Sequence, residues 1–181
     1  MSNTAPKLEE KAPIMGMWFA SLDAYVSGSL VGGWLYPLDY NSFDEFAEAI
    51  KRVTRNADEV AVHSYDNFLD CGEYPNHQDL YNLCHRINES GLDNDILLSY
   101  LNEYSYDETS IDQIEIAEDS FYGEWENFQE FSDDYVHQTI TFPDDTMERY
   151  FDYKSFADDL SFDFHIIDLK NYNIAIFAKY Y

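Results

Sequence analysis

The sequence predicts an α+β chain built from three small parts. Three observations carry this. Apolar, strand-like blocks lie at both ends of the chain, at 14–65 and 162–180. The segment between Pro75 and Ala117 shows only helical spacing. A 45% hydrophobic and 18% aromatic content supplies a core despite a net charge of -26. Disordered acidic chains are poor in aromatics and cannot offset the entropy of ordering. The expected divisions are a flexible tail at 1–14, a β-β-α-β unit at 15–73, a helical part at 74–118, and helices with a closing hairpin at 119–181.

Residues 1–13 lack the apolar stretch of a signal peptide and read as a tail. Ile14–Leu22 and Leu30–Leu38 read as two strands, joined by an irregular connection with a turn at Ser27-Gly28 and closed by Pro37. Ser42 with Glu45 three residues on is a capping box. Phe46, Ala49, Ile50 and Val53 follow at helical spacing, and Lys51, Arg52 and Arg55 sit where the helix dipole favours cations. Glu59–Tyr65 alternates and is read as the third strand.

Leu80, Leu83, Cys84 and Ile87 mark a helix that Gly91 stops. Ile96, Leu97, Tyr100 and Leu101 mark a second, over 93–104, and Ile111, Ile114 and Ala117 a third, starting near Ser110. Phe121, Trp125, Phe128, Phe131 and Tyr135 fall at spacings of four, three, three and four, which predicts an amphipathic helix with an interruption near Gly123. A further helix is expected over Met147–Leu160. Strands at 162–169 and 173–180 close the chain around Asn171-Tyr172.

The charge is uneven. From Ile87 to Glu148 there are 18 acidic residues and no Lys or Arg; over Asn56–Glu148 there are 24 against Arg86 alone. Such a chain repels nucleic-acid phosphates and has no basic patch for an anionic membrane. No run approaches the roughly 18 apolar residues of a membrane span. Cys71 and Cys84, thirteen apart, form no metal or redox motif, so a reducing cytoplasm is the expected setting.

Asp112, Glu115 and Asp119 share one helical face, and Glu126, Glu130 and Asp133 or Asp134 another. Like charges at this spacing destabilise a helix by a few tenths of a kcal/mol per pair. Ordinary helices intersperse Lys, and these do not. Duplex DNA carries one charge per ~1.7 Å, so 26 net charges match about 44 Å of axis, roughly 13 base pairs. Carboxylates on a scaffold could thus stand in for phosphates and pair with a target's Lys and Arg. The plainer alternatives are a solvated acidic face, halophilic adaptation, and a calcium loop at Asp93-Asn94-Asp95. Halophily predicts acidic excess throughout, whereas both ends here keep basic residues. The calcium loop lacks the Asp-x-Asp-x-Asp-Gly spacing and a Glu at the twelfth position.

No catalytic pattern emerges. His63, His77, His85, His137 and His165 form no His-x-x-x-His pair, and no Gly-x-Ser-x-Gly, phosphate-binding loop or dinucleotide fingerprint occurs. No metal, cofactor or enzymatic activity is expected.

Four segments resemble a known family. Trp18-Phe19-Ala20-Ser21-Leu22, with Tyr25, Gly28, Leu30, Gly32 and Trp34, resembles the opening of ArdA-type antirestriction proteins. Ala61-Val62-His63-Ser64-Tyr65 is similar to their Ala-Ile-His-Asp-Tyr strand, with Ser64 in place of the acidic residue. Tyr122-Gly123-x-Trp125-x-x-Phe128-x-x-Phe131, after Ala117-Glu118-Asp119, is similar to their Tyr-x-Gly segment and acidic helix. Tyr150-Phe151-Asp152-Tyr153, with Ala157, Asp159 and Leu160, is similar to the segment ahead of their closing hairpin. The resemblance runs over 15–181 and implies an elongated, three-part DNA mimic that inhibits type I restriction–modification enzymes. It further implies a head-to-head homodimer, carriage by phages or other mobile elements, and action in the cytoplasm of a bacterial host.

The candidate phosphate-mimicking residues are Glu103, Asp107, Glu108, Asp112, Glu115, Glu118, Asp119, Glu124, Glu126, Glu130, Asp133 and Asp134, with Asp144 and Asp145 flanking. The expected partner is the DNA-binding groove of a type I restriction–modification enzyme. Charge alone leaves two other readings open. One is a DNA mimic aimed at a CRISPR effector, a nucleoid protein or a repressor. The other is an acidic protein–protein adaptor.

Overall fold

The computed structural model describes residues 15–104 and 111–179. The tail at 1–14, Asp107, Glu108 and the helix start expected at Ser110 lie outside them. The described residues form a mixed α+β chain with two three-stranded antiparallel sheets. It divides into two compact units, 1–89 and 90–181.

In the first unit the sheet order is β2-β1-β3, with β1 at Gly16–Ser21, β2 at Gly32–Leu35 and β3 at Val60–Asp66. A five-residue helix, α1 (Leu22–Val26), occupies the connection expected to be irregular, and the Ser21 hydroxyl caps it by accepting from Ala24 N at 3.2 Å. One turn of helix holds too few residues to show a period. Gly32 pairs with Ala20, and a Cβ there would collide with the Phe19 carbonyl, so only glycine allows the two strands this approach.

Helix α2 spans Phe43–Val53, and Ser42 Oγ accepts from Glu45 N at 3.3 Å, as the capping box predicts. The Glu45 carboxylate returns to the N–H of Asn41 at 3.1 Å, one residue earlier than in the standard box. Helix α3 spans His77–Glu89 and starts at Asn76, whose side chain accepts from Gln78 N and Asp79 N. Phe19 of the central strand meets Phe46 of α2 and His77 of α3 edge-on, at 5.6 and 5.2 Å. Met17, Phe19, Phe46, Leu80, Leu83, Cys84 and Ile87 are buried in this core.

In the second unit the sheet order is β4-β6-β5, with β4 at Phe121–Trp125, β5 at Phe164–Asp168 and β6 at Ile174–Ala178. The central strand β6 is buried on both faces. Ile174 and Ile176 pack with Phe131, Leu160 and Phe164. Phe177 points the other way, to Tyr100 at 4.5 Å and Phe121 at 5.2 Å. Helices α4 (Asn94–Tyr104) and α5 (Ile111–Ser120) bury Leu97, Leu101, Ile114 and Ala117. Of the helices expected within 74–118, α3 therefore belongs to the first unit, and α4 and α5 to the second.

Two expected helices are corrected. The segment read as helical from Phe121 splits into strand β4 and helix α6 (Phe128–Thr139). Gly123 has φ +148, outside any helix, and pairs with Ile176 across a register shift. A Cβ at Gly123 would also press on the Trp125 ring at 2.9 Å. The helix read over Met147–Leu160 is two: α7 (Asp145–Arg149) and α8 (Tyr153–Leu160). Asp152 starts α8 by accepting from Ser155 N at 3.0 Å, and that cap lies inside the span read as continuous.

The hairpin expected around Asn171-Tyr172 joins β5 to β6. Leu169 N donates to Asn173 O at 2.8 Å, and Tyr172 takes φ 69 at the turn.

Candidate functional site

The candidate carboxylates that fall in described residues all belong to the second unit. Ten are exposed: Glu103, Asp112, Glu115, Asp119, Glu124, Glu126, Glu130, Asp134, Asp144 and Asp145. Glu118 and Asp133 are half-buried.

On α5 the geometry follows from helical period. Ile114 and Ala117 face the core, so Asp112, Glu115 and Asp119 face out. Glu118 lies at the edge of that face and accepts from Ser90 Oγ at 2.7 Å. At the end of α4, Tyr104 OH donates to Glu103 at 3.3 Å. Burial and the Glu103 charge raise the Tyr104 phenol above its usual range.

On β4 and α6 the carboxylates take uncharged donors. Glu124 Oε1 accepts from the side-chain amides of Asn171 and Asn173, at 2.8 and 2.7 Å. Glu126 lies in the turn before α6 rather than on a helix; its N–H donates to Glu130 Oε2 at 3.1 Å. Asn127 caps the helix by accepting from Glu130 N at 3.0 Å. Gln129 Nε2 donates to Asp133 at 2.8 Å, and the Trp125 indole N–H donates to Asp134 at 3.1 Å. Asp144 caps α7 through Thr146 N and Met147 N, with Asp145 in its first turn. These contacts orient the anions while leaving their charge in place.

His137 ties α6 to the segment that follows. Its Nδ1 donates to the Asp133 carbonyl at 2.6 Å, while Nε2 lies 3.5 Å from Glu148. Its ring stacks on Tyr153 at 6.0 Å. Asp152 accepts from both the N–H and the hydroxyl of Ser155, which holds its carboxyl below the usual range.

Several carboxylates escaped the sequence reading. Glu148, Asp152, Asp158, Asp159, Asp163 and Asp168 belong to the same unit, and all but the half-buried Glu148 are exposed. Asp152, Asp158, Asp159, Asp163 and Asp168 follow Arg149, beyond the window free of Lys and Arg, and Glu148 is the last residue of that window. Asn171 and Asn173 carried no signal of their own, because the residue they hold is 47 and 49 positions away.

Asp93-Asn94-Asp95 begins a helix. Asp93 Oδ1 accepts from Asp95 N at 2.9 Å, and its carbonyl accepts the first bond of α4. Among the described residues no group of three or more His, Cys, Asp or Glu is arranged to hold a metal ion. Cys71 is half-buried and its thiol is pushed up to about 11 by burial and by Asp70. Cys84 is buried and raised further. Among the described residues no helix is long and apolar enough to cross a membrane.

Together the fold and this surface define an acidic α+β protein that displays carboxylates outward from short helices and an edge strand. Residues 17–172 match the family model for the antirestriction protein ArdA, and the chain belongs to that family, whose members are DNA-mimic inhibitors of type I restriction enzymes. A search of curated proteins returned no significant match. Three of the four segments that carried the resemblance include structural joints. Ser21 caps α1, Ala61–Tyr65 is the body of β3, Tyr122-Gly123-x-Trp125 lies in β4 with its register shift, and Tyr150–Tyr153 runs from the end of α7 into the start of α8.

Proposed function

We propose that this protein occupies the DNA-binding groove of a type I restriction–modification enzyme and blocks both methylation and cleavage. Carboxylates of the second unit take the place of phosphates: Glu103, Asp112, Glu115, Glu118, Asp119, Glu124, Glu126, Glu130, Asp133, Asp134, Asp144 and Asp145. Asp107 and Glu108 belong to the same stretch of sequence. The reading includes a homodimer acting in the cytoplasm of a bacterial host that has received a phage or other mobile element.

The observation that carries it is the way the anions are held. Residues 90–181 contain 22 Asp+Glu against 4 Lys+Arg, a net of -18, and the anions of β4 and α6 are oriented by amides, an indole and backbone N–H groups. A protein selected for stability alone would have paired them with Lys. Fixed anions offered to a basic groove release its counterions, as phosphates do.

The test is competition. Labelled duplex bound to a type I methyltransferase core is titrated with the purified protein at several salt concentrations. The expected result is displacement at each salt concentration, while direct binding of the protein to the duplex-free enzyme weakens steeply, on the order of a thousandfold between about 50 and 200 mM if about six anions are engaged. Displacement from some other DNA-binding protein, but not from this enzyme, would redirect the mimic to another target. Loss of activity from one short acidic segment alone would point to an adaptor.

A further inference from the structure

The turn between β5 and β6 does more than reverse the chain. Asn171 and Asn173 both aim their side-chain amides at Glu124, on the far edge strand of the same sheet. The hairpin does not need these contacts. It is closed by Leu169 N to Asn173 O at 2.8 Å and Tyr172 N to Leu169 O at 3.1 Å, and tightened by Asn173 N to Asn171 Oδ1 at 3.0 Å. The Nδ2 group of each asparagine is left to act on Glu124.

Two features make this a prepared anion. Both amides use Oε1, which fills that oxygen's two lone pairs and leaves Oε2 of this exposed residue as an acceptor outside the clamp. The clamp is uncharged, so the carboxylate is oriented without being neutralised. The one cation in the turn, Lys170, is engaged elsewhere, 3.3 Å from Asp95 Oδ1. An ordinary surface glutamate must give up rotamer freedom when a partner arrests it. Glu124 has given it up before the partner arrives.

We propose that Asn171 and Asn173 are positioning residues that hold Glu124 ready for a guanidinium or ammonium group of the DNA-binding partner, so that Glu124 counts for more than a unit of charge. The inference rests on the DNA-mimic reading above. It predicts that affinity falls when the clamp is broken although net charge is unchanged.

The experiment is the same competition assay on full-length variants, each first checked for an unaltered circular dichroism spectrum and thermal midpoint. Glu124→Gln should weaken displacement about tenfold or more, as expected for a charge-assisted hydrogen bond. Glu115→Gln, on an exposed helical face, should cost less than about twofold. The Asn171→Ala, Asn173→Ala pair should approach the Glu124→Gln loss, and adding it to Glu124→Gln should cost nothing more. Asn173→Asp adds a negative charge, yet should weaken displacement, because it replaces a donor with a repelling anion. Should the double alanine variant unfold, Asn173→Ala and Asn173→Asp carry the test.

Wild-type potency in the asparagine variants, additive losses in the triple variant, or tighter displacement by Asn173→Asp would each overturn the inference while the DNA-mimic reading stands. Wild-type protein that displaces no duplex would remove that reading and the inference with it.

Discussion

The two sheets of this protein share a plan, but their surfaces obey different rules. Each sheet is three-stranded and antiparallel, with a largely buried central strand and one register shift against an edge strand. The first unit carries 14 Asp+Glu against 6 Lys+Arg, the second 22 against 4. In the first, Glu48 meets Lys51 at 2.6 Å, and that bond holds its carboxyl below the usual range. In the second, Glu124, Asp133 and Asp134 are met by amides and an indole. In the first unit a lysine meets one of the anions, whereas in the second three of them are held by uncharged donors. A single architecture can therefore serve either end, because a sheet fixes the core and leaves the outward positions to chemistry.

Aiming anions without neutralising them costs stability, so the second unit needs a core that offsets the repulsion. Phe131 is that core's centre, 2% exposed and ringed by Tyr122, Trp125, Phe128, Tyr135 and Phe164. The sharpest way to break the comparison is Phe131→Ala. It should cost about 3–5 kcal/mol. Hydrogen exchange should show amides of residues 111–179 losing protection before those of 15–89. Equal loss in both would mean the units do not carry separate stabilities.

Next in size is the removal of charge from one unit at a time. Changing Asp112, Glu115, Asp119, Glu126, Asp134 and Asp145 to amides should weaken duplex displacement on the order of a hundredfold, at a few tenths of a kcal/mol or more per lost pair. The same treatment of Asp23, Asp44, Asp58, Glu59, Asp66 and Asp79 should cost less than about fivefold. Equal losses would reduce the protein to its total charge and erase the distinction drawn here.

Smaller again is Gly123→Ala. With φ at +148 and the Trp125 ring in the way, alanine should cost about 1–3 kcal/mol, read by denaturant titration. An unchanged midpoint would mean that β4 does not need its register shift.

The smallest effect is a pH slope. Burial lowers the His77 pKa below 6.5, with its ring edge-on to Phe19. The unfolded chain then takes up the proton first. The stability due to neutral His77 is complete above about pH 6.5 and declines as the pH falls toward the folded-state value. His77→Gln should flatten that slope in the first unit alone. His165, lowered by burial and by Lys179 against the opposing pull of Glu103, should keep the slope in the second. Hydrogen exchange at about pH 7 and 5.5 separates the two.

What the sequence revealed and what it hid divide along the same physical line. Ser42 announces α2 because a cap acts on a backbone N–H three residues away. The outward face of α5 is legible because period alone decides it. Strand β4 was hidden because its partner, β6, begins 49 residues later and its aromatic spacing suits a helix equally well. The break between α7 and α8 was hidden by a continuous aromatic pattern, although Asp152 with Ser155 was a cap in plain view. The candidate anions were legible as a population, since any fold must expose most of them. Which of them would be clamped was not, because Asn171 and Asn173 reach Glu124 only after the sheet has formed.

The placement of the indoles gives the molecule a built-in optical assay. Trp18 and Trp34 lie edge-on, 5.9 Å apart, in the first unit, whereas Trp125 stands alone in the second with its N–H on Asp134. A partner that draws Asp134 to itself uncouples that donor and shifts the emission of a single fluorophore. With Trp18 and Trp34 replaced by Phe, docking could be timed in a stopped-flow cell without attaching any dye.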